Sequence, residues 1–211
     1  MNSKYKVLKY KSNNAKNIDD LISIEEPLEI TIKFKNKEIW NENIISITMR
    51  TPGNDEDLVR GFLFNERIIE KIEYIDKIES VGENVGQYSL KNKIIATINN
   101  SENVDIDKIK RNFLTNSSCG VCGKTSLDSL EIIKKDKILK SLPKISHEII
   151  MKSPTTLREN QSEFSKTGGI HASGLFSDNG DVVAIKEDVG RHNALDKLIG
   201  YALEKKLLNP S

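Results

Sequence analysis

Residues 175–203, LFSDNGDVVAIKEDVGRHNALDKLIGYAL, decide how the second half of the chain is read. Asp178-Asn179-Gly180-Asp181 is a strong hairpin turn, because Asn-Gly supplies the positive φ angles that a tight turn needs. Leu175-Phe176 begins one strand, and Val182 to Ile185 returns as the other. Glu187 to Asn193 reads as a loop. Beyond it, Ala194, Leu195, Leu198, Ile199, Ala202 and Leu203 recur at helical spacing on one face. Lys205-Lys206 suits the negative end of that helix. Strand, turn, strand, loop and helix in succession place this half in an α/β layer architecture.

Upstream, residues 167–174, TGGIHASG, are rich in glycine, and a helix is expected around Pro154 to Arg158. Residues 111–126, RNFLTNSSCGVCGKTS, form a polar loop. A helix from about Leu127 to Lys135 follows, with Thr125 and Asp128 spaced as a capping box. In the first half, Ile30, Ile32 and Phe34 alternate with polar residues as a half-buried strand, and Ile44 to Met49 is a β-branched run. Thr51-Pro52-Gly53-Asn54 interrupts the pattern. Asp55 to Ile69 then reads as a helix with acids in its first turn and Leu58, Val59, Phe62 and Leu63 on one face. Tyr88 to Leu90 and Ile94 to Ile98 read as a second hairpin around Lys91-Asn92-Lys93. This half is an α+β unit with antiparallel pairing.

The chain has 211 residues, 37% hydrophobic and 30% charged, with a formal net charge of +1. That is enough apolar material for a core, and its charge balance does not point to nucleic acid or an anionic membrane. No stretch is long and apolar enough to span a bilayer. The N-terminus, MNSKYKVLKYKSNNAKN, is basic and polar, lacks the apolar region of a secretory signal, and reads as a flexible start. The two cysteines, Cys119 and Cys122, lie within four residues of each other. A stabilising disulfide gains from closing a longer loop, so cytoplasmic thiol chemistry is the better reading.

Cys119-Gly120-Val121-Cys122-Gly123-Lys124 admits four explanations. The nucleophile or metal ligand is the thiolate, which a helix N-terminus and the Lys124 ammonium favour. A dithiol redox motif normally follows an apolar strand, but here Asn116-Ser117-Ser118 precedes it. A zinc site needs about four ligands, and His147, His171 and His192 supply no paired spacing. A phosphate loop needs glycine at the position held by Ser118. The plain alternative is a pair of bystander cysteines, although a polar, glycine-flanked loop is a poor core. Glycines beside His171 can let a ligand approach the main chain, or can simply form a turn. Arg191, with the following helix N-terminus, can hold phosphate. Asn193 can instead cap the helix. Arg50 reads as structural, with a ligand contact as the alternative.

The motifs together resemble the formate dehydrogenase accessory protein family FdhD, a family of sulfurtransferases. They are Met49-Arg50-Thr51-Pro52-Gly53, Gly61-Phe62-Leu63, Ser118 to Lys124, Thr167-Gly168-Gly169-Ile170-His171-Ala172, and Glu187 to Lys197. The resemblance implies an N-terminal α+β subdomain, residues 1–112, and a cytidine-deaminase-like three-layer α/β domain without zinc, residues 113–211. The family pattern runs past the position of Ser211, so that domain is expected to be incomplete at its C-terminus. The implied function is sulfur transfer. Cys119 would take sulfur from a cysteine desulfurase as a persulfide, with Cys122 in support. It would pass that sulfur to the molybdenum or tungsten bis-molybdopterin guanine dinucleotide cofactor of formate dehydrogenase, bound here as a substrate. Lys124, His171, Arg191, His192 and Asn193 are the candidate cofactor contacts, in a homodimer. Two competing functions are a dithiol oxidoreductase using Cys119 and Cys122, and a cofactor-binding chaperone without covalent catalysis.

Overall fold

The computed structural model describes residues 1–12, 14–86, 88–99, 104 and 145–208. The cysteine loop with Cys119, Cys122 and Lys124, the helix expected after it and the boundary at 112/113 lie outside the described residues.

The N-terminus is not a flexible start. Strands β1 (Asn2–Lys11) and β2 (Asn14–Ser23) form an antiparallel ribbon, with Val7 opposite Ile18 and Lys6 opposite Asp19. Such cross-strand pairs each add a few tenths of a kcal/mol, about 0.2–1. A lone ribbon is marginal in water, and this one is tied down at its base. The Met1 amino group and the Asn2 amide both donate to Glu163, at 3.1 and 3.0 Å. The Ser23 and Thr167 hydroxyls meet at 2.8 Å.

Strands β3 (Glu26–Asn36) and β4 (Ile39–Arg50) pair antiparallel, with a register shift at Ile30/Thr31. The alternation expected for β3 is observed: Leu28, Ile30, Ile32 and Phe34 are all buried. The second hairpin expected around Lys91 does not form. Instead β5 (Ile75–Val81) pairs antiparallel with β6 (Lys93–Ile98), and β6 lies parallel to β3. The segment at Tyr88 to Leu90 contributes only an isolated bridge, Val85 to Leu90. The sheet order is therefore β4-β3-β6-β5. Helix α1 (Asp55–Asn65) lays Leu58, Val59 and Leu63 on this sheet, against Ile94, Ala96 and Ile98. It is shorter than the periodicity suggested. Arg67 turns left-handed at φ 54°, and Ile68 and Ile69 are buried from the following loop.

In the second half, α2 (His147–Glu159) begins at Ser146, whose hydroxyl accepts the Ile149 N–H at 3.4 Å. Pro154 sits inside this helix and cannot donate to the Ile150 carbonyl. The Ser153 hydroxyl donates to that carbonyl instead, at 2.9 Å. The short α3 (Ser162–Thr167) ends at Gly168, which adopts φ 68°. β7 (His171–Phe176) and β8 (Val182–Asp188) form the expected hairpin, with Gly180 at φ 87° in its turn. Helix α4 (Arg191–Glu204) packs on that hairpin and on α1. Its buried face holds Ala194, Leu198, Ala202 and Leu203, whereas Leu195 is exposed.

Among the described residues the architecture is mixed α+β with three small sheets. The two halves meet where α1 crosses α4. Gly61 and Gly200 mark the crossing: a Cβ on Gly61 would stand 2.6 Å from the Asp196 carbonyl carbon, and one on Gly200 would stand 2.8 Å from the Gly61 nitrogen. Around it, Lys186 pairs with Asp57 at 2.8 Å and Arg60 with Glu204 at 3.1 Å.

Candidate functional site

Residues 187–193 are mostly not a loop. β8 continues through Asp188 and α4 starts at Arg191, so Val189 and Gly190 alone connect them. Glu187 accepts the backbone N–H groups of Glu163 and Phe164, at 3.0 and 2.9 Å, and so holds the start of α3. Asp188 is fully buried, and its carboxylate is saturated by four donors. One oxygen accepts Gly190 N–H at 2.8 Å and the Asn193 amide at 3.1 Å. The other accepts Thr51 N–H at 3.1 Å and Lys197 Nζ at 2.6 Å.

Thr51 completes the knot. Its carbonyl accepts Lys197 Nζ at 2.7 Å, and its hydroxyl accepts the Val189 N–H at 3.1 Å. Asn193 donates to the Met49 carbonyl at 2.7 Å and accepts from the Thr48 hydroxyl at 3.2 Å. It is buried inside α4 rather than capping it; the cap position belongs to Gly190, which has no side chain to accept from the helix amides. Next to this knot Arg50, 1% exposed, forks onto Asp55 at 3.0 and 3.1 Å and reaches the Glu26 carbonyl and Asn92. Its role is structural, and the ligand alternative is not needed.

Three sequence motifs thus converge on one end of the β7–β8 hairpin. His171 opens β7 directly opposite Asp188, the last residue of β8. The segment of Met49 to Gly53 is bonded to Asp188, Val189, Asn193 and Lys197. From this buried base, Arg191 and His192 in the first turn of α4, and His171 beside it, are exposed to solvent. Of the expected contacts, then, Arg191 and His192 stand exposed on the first turn of α4, His171 stands exposed at the start of the strand paired with β8, and Asn193 is buried. The first turn of α4 presents a permanent cation, an imidazole and a helix N-terminus, a combination that attracts anions. Among the described residues, no group of three or more His, Cys, Asp or Glu side chains could hold a metal ion. No described helix is long and apolar enough to cross a membrane.

Sequence reading placed Lys197 and Asp196 in the Glu187 to Lys197 motif but not in the buried roles they take. Lys197 interrupts the apolar face between Ala194 and Leu198, and that interruption is the signal of a buried, paired lysine. Asp196 accepts the Asn65 amide at 2.6 Å. Burial pushes its carboxyl up to about 7, Glu66 and Asp188 add to the shift, and the Asn65 hydrogen bond opposes it.

The FdhD/NarQ family model matches residues 24–209, which contain all of these segments. The chain belongs to the FdhD/NarQ family. Similar members of the family include the sulfur carrier protein FdhD of Picrophilus torridus, 43% identical over 208 residues, covering 95% of this chain and 73% of that protein. That of Sulfolobus acidocaldarius is 38% identical over 206 residues, covering 97% and 71%. The crystal structure of a protein from Desulfotalea psychrophila, described as a formate dehydrogenase accessory protein, superposes with a TM-score of 0.65 at 22% identity, over 97% of this chain and 70% of that one. That likeness supports the mixed fold of this FdhD/NarQ family member. The motif segments knotted around Asp188 are therefore features of a family chain, placed by a family fold.

Proposed function

We propose that this chain is a sulfur carrier serving formate dehydrogenase, with Cys119 as the carrying thiol. The Cys119 thiolate attacks the terminal sulfur of a cysteine persulfide on a desulfurase. The donor's S–S bond breaks, a new S–S bond forms at Cys119, and the donor leaves as a thiolate, so the exchange is balanced. The acceptor is the molybdenum or tungsten bis-molybdopterin guanine dinucleotide of the target enzyme, bound as a substrate, with a second copy of the chain as the assembly partner.

The observation that carries the sulfur-carrier reading is the match of residues 24–209 to the FdhD/NarQ family, among relatives that are sulfur carrier proteins; the exposed Arg191, His192 and His171 near a helix N-terminus support the cofactor contacts. Arg191 offers paired N–H donors to a phosphate group, and His192 and the first amides of α4 add further donors.

The test is sulfur loading. Purified protein is incubated with a cysteine desulfurase and cysteine, and labile sulfur is counted by thiol-reactive trapping and mass spectrometry. The wild type gains one sulfur at Cys119 and supports activation of formate dehydrogenase. Cys119→Ser gains none. A Cys119→Ser protein that still loads and still activates removes Cys119 from the carrier role.

A further inference from the structure

Asp188 and Lys197 do more than hold the two halves together. They are 0% and 2% exposed and 2.6 Å apart. The ammonium also donates to the Thr51 carbonyl at 2.7 Å, and the carboxylate receives the N–H groups of Thr51 and Gly190 and the Asn193 amide. Every one of these partners belongs to the segment before α1 or to the cap and first turn of α4. The neighbouring ion pairs across the junction, Lys186–Asp57 and Arg60–Glu204, tie helix and strand surfaces and touch neither the Val189-Gly190 connection nor residues 191–193.

We propose that Asp188, Lys197 and Thr51 are positioning residues: their buried knot fixes the first turn of α4 so that Arg191 and His192 present their donors to an anionic guanine nucleotide. This rests on the cofactor-binding reading given above. The physical reason is that the anchors of that turn run through this knot. Gly190 is the cap residue and carries no side chain, and the Val189 and Gly190 N–H groups end on Thr51 and Asp188. Close placement of several donors on a ligand depends on such pre-organisation, and a small displacement costs much of the affinity.

The main test uses Asp188→Asn/Lys197→Met, which removes both buried charges at once and leaves no unpaired ion. Whichever way the amide introduced at position 188 were turned, its NH2 group would face a backbone N–H, of Thr51 or of Gly190, so the anchor is lost while charge balance is kept. Thr51→Val is a milder second variant, because it removes only the acceptor of the Val189 N–H. Thr51→Ser restores that acceptor and serves as the rescue. Lys186→Met is a control that cuts a neighbouring ion pair without touching the turn. Two readouts are taken on folded protein: amide hydrogen exchange at Thr51, Val189 and Gly190 relative to Leu198 and Ala202, and binding of GDP.

In the double variant, exchange at the three amides rises about tenfold or more while the body of α4 is unchanged, and GDP binds about tenfold more weakly. Thr51→Val shows the same at Val189, Thr51→Ser does not, and Lys186→Met leaves both readouts at wild-type values. Unchanged exchange at the three amides in a folded double variant, or at Val189 in Thr51→Val, overturns the positioning role. So does wild-type GDP affinity in a variant whose turn has loosened, or a Lys186→Met protein that loosens the turn equally. If exchange responds as stated but the wild type binds no GDP, the cofactor-binding reading fails and the anchoring of the turn stands.

Discussion

Replacing Gly200 by alanine is expected to destabilise the protein, although in most helices the same change stabilises. A Cβ at Gly200 would lie 2.8 Å from the Asp57 carbonyl carbon and from the Gly61 nitrogen, and closer still to the Asp57 carbonyl oxygen. Ordinary carbon contacts begin near about 3.5 Å. The obstacle is backbone, which cannot rotate aside, so α1 and α4 must part by about 1 Å to restore such contacts. A gap of that size forfeits up to about half of the dispersion well for each facing atom pair. It also stretches the Asn65–Asp196 hydrogen bond and the Lys186–Asp57 ion pair, now 2.6 and 2.8 Å. Overpacking against rigid surroundings costs about 3 kcal/mol at the upper end of its usual range. Alanine returns about 1 kcal/mol of helix propensity. The net expectation for Gly200→Ala is a loss of about 2 kcal/mol or more. Urea unfolding followed by circular dichroism measures it, with Gly169→Ala as the control, since a Cβ there would meet only the Thr167 carbonyl oxygen at 4.0 Å. A Gly200→Ala protein as stable as the wild type, or more stable by the about 1 kcal/mol that propensity alone supplies, refutes the close crossing of α1 and α4.

Asp196→Asn is expected to flatten part of the pH dependence of stability. The folded-state carboxyl titrates at about 7, above its ordinary 3.8, so its contribution is fully present below pH 3.8 and is lost as pH rises through 7. The variant should therefore be more stable than the wild type at pH 8 and match it near pH 4, with the Asn65 contact retained; a parallel pair of stability curves between those values excludes the assignment. Arg50→Met strands Asp55, Asn92 and the Glu26 carbonyl without their shared donor. Breaking a buried pair on one side costs about 3–5 kcal/mol, and a loss below about 1 kcal/mol in urea melts would show that Arg50 is not the buried hub described.

Much of the local structure was legible because it depends on neighbours in sequence. The alternation of Ile30, Ile32 and Phe34 specifies a half-buried strand. Asn179-Gly180 specifies the β7–β8 turn, and the stripe from Ala194 to Leu203 specifies an amphipathic α4. The family motifs lie on the same scale, and they led to the right family. The misreadings share another cause. β5 carries no alternation, with Ile75, Ile78 and Val81 only partly buried, and the parallel β3–β6 pairing joins residues far apart in the chain, Glu29 with Lys93 for example. The N-terminal ribbon has both faces largely in solvent, so no period of burial marks it.

By itself the sequence determined the family, the strands with one buried face and the hairpin turn. Only the tertiary structure decided what the charged and small residues of the motifs do. Asp188 and Lys197 look like surface or ligand residues until segments 137 residues apart bring partners to them, as Thr51 and Asp188 do. Gly61 and Gly200 look incidental until two helices need to touch. A charge can be buried, and a glycine required, only by what packs against it. That information lies in the fold's long-range contacts, which bury Asp188 and Asn193 as anchors and leave Arg191 and His192 exposed beside them.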